Sequence, residues 1–290
     1  LQAGRHVLSE VTAFHTPAEG VALVEAVEAS GRHYMMAENT CYRARTFEAR
    51  RLLREGALGT FVYGQCEYVH DIRGLMHNAD GSPHWRGWLP PTYYTTHPLG
   101  EMLTIAGARP VAVSAQGVFG RMPGSANPLD MGAMLVTLDN GGVVHALASF
   151  AAGRDSQWLS IYGTAGVVES DRWGDRNLLH VRLGAAAGRE AELRTYLATY
   201  PEQPAAAAHA GHGGSDFYPV YHFLRAVRGE GPLPMNVYDA CDYTLPGIMA
   251  YRSAVAGGTT LEVPDLRDPA TRERYRGDRL APPRADRVSP

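Results

Sequence analysis

The chain has 290 residues, 45% of them hydrophobic, enough to bury a substantial core as one large domain or two smaller ones. Its 27 basic and 30 acidic side chains leave a formal charge of −3, with no basic block dense enough to follow a phosphate backbone, which excludes nucleic acid as an expected partner. No apolar run reaches the roughly 18 residues that a membrane helix needs, so no membrane partner is expected either.

All 27 basic side chains are arginine, since the sequence contains no lysine; Schiff-base and lysine general-base chemistry are therefore ruled out for these residues. Cys41, Cys66 and Cys241 are far apart and odd in number, which argues against a disulfide framework or a CxxC site and for packed, reduced thiols. Nothing before Leu1 is given, and Leu1 opens no charged-then-apolar leader, so the expected compartment is the cytoplasm, with any export signal lying upstream.

His6 to Glu10 reads as a short buried strand. Thr16-Pro17-Ala18-Glu19 then supplies an N-cap, a proline at the first helical position and a capping-box glutamate. The helix that follows stops at Gly31, and His33 to Ala37 reads as a second strand; strand, helix and strand in this order form a parallel crossover unit. One such unit leaves a face and an edge uncovered, and no G-x-G-x-x-G follows a strand anywhere, so the chain reads as opening in the middle of a doubly wound domain.

Phe47 to Arg54 is a short amphipathic helix ended near Gly56, and Thr60 to His70 switches to strand chemistry. Further strands are expected over Val111 to Phe119, Ala133 to Leu138, Val143 to Phe150 and Trp158 to Tyr162, with a hairpin at Asp139-Asn140-Gly141-Gly142. Tight turns between these strands imply a mostly antiparallel sheet with helices to one side. The region from about 184 to 211, with Ala185 to Ala187 and Ala205 to Ala208, is expected to cross the surface. Helices are expected over Phe217 to Val227 and Tyr238 to Ala256, with Pro246 kinking or starting the second. The fold class is therefore α/β plus α+β: a partial Rossmann remnant (residues 1–40), a large domain with an open, mostly antiparallel sheet (41–265) and a solvated tail (266–290).

The densest chemistry lies in His84-Trp85-Arg86 and Tyr93-Tyr94-Thr95-Thr96-His97-Pro98-Leu99-Gly100. Aromatic faces suit the apolar side of a sugar ring, Arg86 suits an oxygen, and His97 or a tyrosine suits a hydroxyl proton near neutral pH. The competing reading is an ordinary loop with a surface histidine. Glu10 and Asn39 close the first two strands, where an open α/β sheet places its ligands, although Glu10 would equally cap a helix and Asn39 form a turn. His209 and His212 near Asp216 lack a third ligand at metal spacing; the glycines 211 to 214 instead suit a loop close to substrate, with Asp216 capping the next helix.

The first strand, the Ala37-Glu38-Asn39 strand end, the Tyr94 to Gly100 stretch, Gly211-His212-Gly213-Gly214-Ser215-Asp216, Val237-Tyr238-Asp239-Ala240 and Val263-Pro264-Asp265 together resemble the Gfo/Idh/MocA oxidoreductase family over nearly the whole chain. The resemblance implies NAD- or NADP-dependent transfer of hydride to or from a sugar or polyol hydroxyl, with Glu10 and Asn39 on the cofactor side, His97 as proton carrier, Tyr94 assisting, and Trp85, Arg86, Tyr93, His212 and Asp216 around the substrate. It also implies a homodimer or a dimer of dimers through the open sheet.

Two positions depart from that family: Val11 stands where Glu-Lys-Pro usually carries lysine, and Tyr93 where an aspartate usually stands four residues before the histidine. These changes, with Tyr42 after Asn39 and Tyr94 before His97, are similar to the family's NAD-dependent α-N-acetylgalactosaminidase branch, which implies redox-assisted glycoside hydrolysis and adds Tyr42 to the catalytic candidates. A reading of another class, a non-catalytic sugar-binding or scaffold protein, is favoured by Val11, Tyr93 and the missing phosphate loop.

Overall fold

A computed structural model describes residues 1–125, 127–184 and 191–282. Strand β1 (Val7–Ser9), helix α1 (Pro17–Ser30) and strand β2 (Tyr34–Met36) form the expected crossover, with β1 and β2 parallel and Val7 opposite Tyr34. Thr16 accepts from the Glu19 amide and Glu19 returns a bond to the Thr16 amide, while Gly31 closes the helix in the left-handed region. Buried β2 runs against the later helix α5. β1 is only half-buried rather than sealed, which leaves Glu10 exposed at its end.

Helix α2 (Ala44–Arg54), β3 (Phe61–Val69) and α3 (Thr96–Ala106) lead into β4 (Pro110–Phe119), β5 (Leu129–Leu138), β6 (Val143–Ser149) and β7 (Leu159–Gly163). The β5–β6 hairpin turns where expected: Gly141 has φ 83°, open to glycine at little cost, and the Gly142 amide donates to Asn140 Oδ1. Three further strands, β8 (Gly166–Ser170), β9 (Leu178–Leu183) and β10 (Glu192–Leu197), extend the sheet at one end. After α4 (Phe217–Val227) and α5 (Val237–Val255), the short β11 (Leu261–Glu262) closes the other end, and α6 (Pro269–Tyr275) follows.

The large sheet has the order β10-β9-β8-β7-β3-β6-β5-β4-β11. Its described pairs are antiparallel except β3 with β6, which run parallel from Tyr63 opposite Val143 to Val69 opposite Ser149. Helices α3 and α5 cover one face, burying Val113, Met134, Val136, Val144 and Ala146. The α/β crossover unit keeps its own two-stranded sheet, beside this larger mixed, open sheet of the α+β part.

Three local expectations differ from the structure. β10 lies inside the segment read as crossing the surface; its residues are mostly exposed, so apolar alternation could not announce it, and pairing with β9 holds it. Ala185 to Ala187 lie outside the described residues, and Ala205–His209 make a 3₁₀ turn. Helix α5 does not start at Pro246 but runs through it, the other half of that expectation, with Leu245, Ile248, Met249 and Ala250 packed in the core. Residues 266–282 are not a solvated tail: Leu266 and Thr271 are buried, and α6 and its surroundings are tied down by Arg272–Glu28, Arg276–Glu25 and Arg252–Asp278 ion pairs.

Candidate active site

A cavity of about 510 Å³ lies where the ends of β1, β2 and β3 meet the start of α3. Glu10, Asn39, Arg86, Tyr94, His97, His212 and Asp216, all singled out in the sequence, line it. Glu10 and His97, distant in sequence, therefore face one cleft.

The 3₁₀ turn Pro91–Thr95 runs straight into α3 and delivers His97 into that helix's first turn. There His97 Nδ1 sits 2.7 Å from Glu38 Oε1. Glu38, immediately after the strand, is fully buried; its Oε1 also accepts from the Thr40 amide (3.1 Å) and hydroxyl (2.7 Å). Burial alone would raise the Glu38 carboxyl, but the His97 ring and the Thr40 donors outweigh it and hold the group below its ordinary range. An ionised Glu38 is an acceptor only, so His97 Nδ1 carries the proton and Nε2 is left as the accepting nitrogen. Glu38 Oε2 is buried without a partner among the described residues.

Aromatic rings enclose this dyad. Tyr68, at the end of β3, lies 4.7 Å from the His97 ring and its hydroxyl is 3.1 Å from His70 Nδ1. Tyr94 stands edge-on to His97 at 5.4 Å and is backed by Phe150 and Trp85. Burial pushes both phenols up, so both are protonated donors near neutrality. The Arg86 guanidinium lies 4.4 Å over Trp85.

A second polar group crosses the cavity wall. Asn39 Nδ2 donates to Asp216 Oδ1 at 2.6 Å, and Asp216 Oδ2 is 2.8 Å from His212 Nδ1. Asp216 precedes α4 but makes no side-chain cap bond, so it is not the helix cap that its position suggested; the Asn39 amide and the imidazole take its oxygens instead. His212 holds φ 52°, which turns the loop toward Asp216.

Three expected site residues are corrected. Tyr93 is 1% exposed and packs against Tyr251 and His15, because on a 3₁₀ turn neighbouring side chains point about 120° apart; Tyr94 takes the cavity side. Tyr42 is buried, stacks against both Tyr218 and His222, and does not line the cavity; burial pushes its phenol far up. Trp85 backs Tyr94 and Arg86 rather than forming cavity wall.

Sequence reasoning missed Glu38, Tyr68, Arg43 and Gln157. Glu38 sat within the quoted Ala37-Glu38-Asn39 strand end, and Tyr68 at the carboxyl end of an expected strand, which is the usable signal. Gln157 lies outside any strand or helix and carried none. Among the described residues no group of three His, Cys, Asp or Glu side chains is placed to hold a metal, and no helix is long and apolar enough to cross a membrane.

A parallel crossover unit whose strand ends meet a histidine–carboxylate dyad, set against a large open sheet, defines an α/β protein with its candidate site at the junction. Residues 47–169 match the GFO/IDH/MocA C-terminal domain model, and residues 156–275 match the model of the glycosyl hydrolase 109 C-terminal domain. Across these two stretches the chain is similar to proteins of the Gfo/Idh/MocA family.

Among its relatives, a glycosyl hydrolase family 109 protein of Stenotrophomonas maltophilia is 26% identical over 94% of this chain and 70% of its own length. An α-N-acetylgalactosaminidase of Tannerella forsythia is 26% identical over 89% of this chain and 64% of its own length, so the chain spans about two thirds of these relatives. Levoglucosan dehydrogenase in complex with NADH and levoglucosan shares the fold with a TM-score of 0.74 at 21% identity, over 90% of this chain and 75% of that one. An oxidoreductase domain protein from Kribbella flavida does so with a TM-score of 0.72 at 23% identity, over 90% and 75%.

Proposed function

We propose that this chain forms the sugar site of an NAD-dependent enzyme that oxidises a ring hydroxyl, with His97 taking the hydroxyl proton. The observation that carries this reading is the His97–Glu38 pair opening on a cavity at the ends of β1 and β2. Glu10 and Asn39, an exposed carboxylate and an amide at adjacent parallel strand ends, fit the ribose and nicotinamide side of a dinucleotide. NAD, when bound, supplies the acceptor for the hydride. The solved neighbour bound to NADH supports NAD over NADP.

The work of the residues follows from their contacts. Glu38 fixes the His97 tautomer, so Nε2 accepts the hydroxyl proton as the carbon gives up hydride, and the resulting imidazolium is stabilised by the ionised carboxylate. Tyr94 and Arg86 hold the sugar oxygens, and Trp85 stiffens both. Asp216 fixes the Asn39 amide on the cofactor side.

A second reading, redox-assisted glycoside hydrolysis, shares this first oxidation. It is favoured by the match of residues 156–275 to the glycosyl hydrolase 109 model and by Tyr68, a further buried phenol beside the dyad. There the ketone acidifies the neighbouring C–H, the aglycone leaves by elimination, water adds and the hydride returns, which calls for more proton carriers than a simple dehydrogenase. Incubation with NAD plus free sugars, and separately with aryl glycosides, distinguishes them: net NADH without phenol supports the dehydrogenase, and phenol without net NADH supports the hydrolase. Neither product rejects both. The uncovered face of the large sheet presents Tyr63, Leu135 and Tyr162, which supports assembly as a homodimer or dimer of dimers, read by sedimentation.

A further inference from the structure

One corner of the cavity has no part in the chemistry above. Arg43 and Gln157 both line it, and Arg43 Nη2 donates to Gln157 Oε1. Arg43 is 8% exposed, yet its carboxylate neighbour Glu101 lies 3.7 Å from Nη1, beyond a hydrogen bond. That carboxylate is already held by Arg45 through Nε and Nη2, both at 2.7 Å, and by the Thr46 hydroxyl at 2.6 Å. Two buried guanidinium groups therefore share one carboxylate.

Burial and the neighbouring Arg45 push the Arg43 group down to about 10, the response of a cation short of counter-charge. Glu38 also acts on Arg43, but its bonded oxygen is committed to His97 and Thr40. Gln157 has its side-chain oxygen turned to Arg43 and its backbone oxygen to Arg45 (2.6 Å), which leaves its amide N–H groups to donate. The corner thus offers donors only. A sugar hydroxyl, which must donate as well as accept, is half-satisfied there, whereas a carboxylate is all acceptor and matches the planar guanidinium fork.

We infer that the Arg43–Gln157 corner is a carboxylate subsite, and that the substrate is an acidic sugar of the uronic class, held by its carboxylate while a ring hydroxyl faces His97. The inference rests on the sugar-site reading above, and binding rather than turnover tests it. The full chain with NAD present is titrated calorimetrically with galacturonate and galactose, and with glucuronate and glucose.

At least one uronate should bind roughly ten- to a hundredfold more tightly than its neutral counterpart, the effect of one or two charge-assisted hydrogen bonds. Arg43→Met and Gln157→Leu should each bring that uronate down toward the neutral sugar. Gln157→Leu leaves the Arg45–Glu101 pair in place and serves if Arg43→Met does not fold. Equal binding by the unsubstituted chain overturns the inference, as does a preference that survives Gln157→Leu and Arg43→Met but falls with Arg86→Gln. A chain that prefers uronates through this corner but oxidises no sugar overturns only the proposed chemistry; one that oxidises neutral sugars and binds uronates no better overturns only the subsite. Binding of no sugar at all overturns both.

Discussion

His97 and Glu38 meet at 2.7 Å across 59 residues of sequence, an imidazole at the cavity wall bonded to a carboxylate that has no access to solvent. His97→Gln and Glu38→Gln should each lower turnover roughly 10²- to 10⁴-fold, the usual worth of a positioned proton carrier, with a much smaller change in sugar affinity. Steady-state kcat against KM checks this. A loss confined to KM would mean that the pair only binds.

The same pair sets a pH dependence of stability. Glu38 is held below its ordinary value of 4.5, so its contribution to the fold is fully present above that range and is lost as pH falls through the lower native value. Urea melts stepped downward from pH 6 should therefore show a fall in stability that flattens in Glu38→Gln. Parallel curves for the two proteins would remove Glu38 from the account.

Tyr68 and Tyr42 separate a site phenol from a core phenol. Tyr68→Phe removes a hydroxyl bonded to His70 beside the His97 ring and should cut turnover roughly tenfold or more. Tyr42→Phe keeps the stacked ring and should leave turnover within about twofold. The opposite ranking would return Tyr42 to the catalytic set.

Asp216 anchors Asn39 rather than α4. Asp216→Ala should leave helicity by circular dichroism unchanged while weakening NAD binding roughly tenfold, the cost of freeing an amide from a charged acceptor. Lost helicity with unaltered NAD affinity would reinstate the cap.

Gly247 on α5 faces the turn that delivers His97: a Cβ there would lie 2.2 Å from the Thr92 carbonyl oxygen. Gly247→Ala should destabilise the chain by about 1–3 kcal/mol or more through overpacking, and lower activity by shifting the Pro91–Thr95 turn. Denaturant midpoints and turnover measured together check both effects.

Much of the framework was legible because its signals are local. The Thr16–Glu19 capping box, the Gly31 stop and the Asn140-Gly141 hairpin each act within a few residues, and each formed as read. The resemblance of its motifs to a known family also pointed to Glu10, Asn39, Tyr94, His97 and Asp216, which line one cavity. β10 was not legible, since its residues are mostly exposed and carry too little apolar alternation to stand out from loop; β8 and β9 do alternate in burial, but over only 5 and 6 residues they went unread.

Sequence alone determined the kinds of chemistry at hand: no lysine, arginine as the basic side chain, a Tyr-x-x-His segment and strand ends bearing a carboxylate and an amide. Tertiary structure decided which groups act together. Glu38 became the partner of His97, Asp216 reached Asn39 across 177 residues, Tyr94 rather than Tyr93 took the cavity side, and Arg43 met Gln157. Caps and turns are fixed by bonds between near neighbours, whereas burial, counter-charge and proton affinity depend on whatever the fold packs around a side chain, and no spacing in the sequence encodes that.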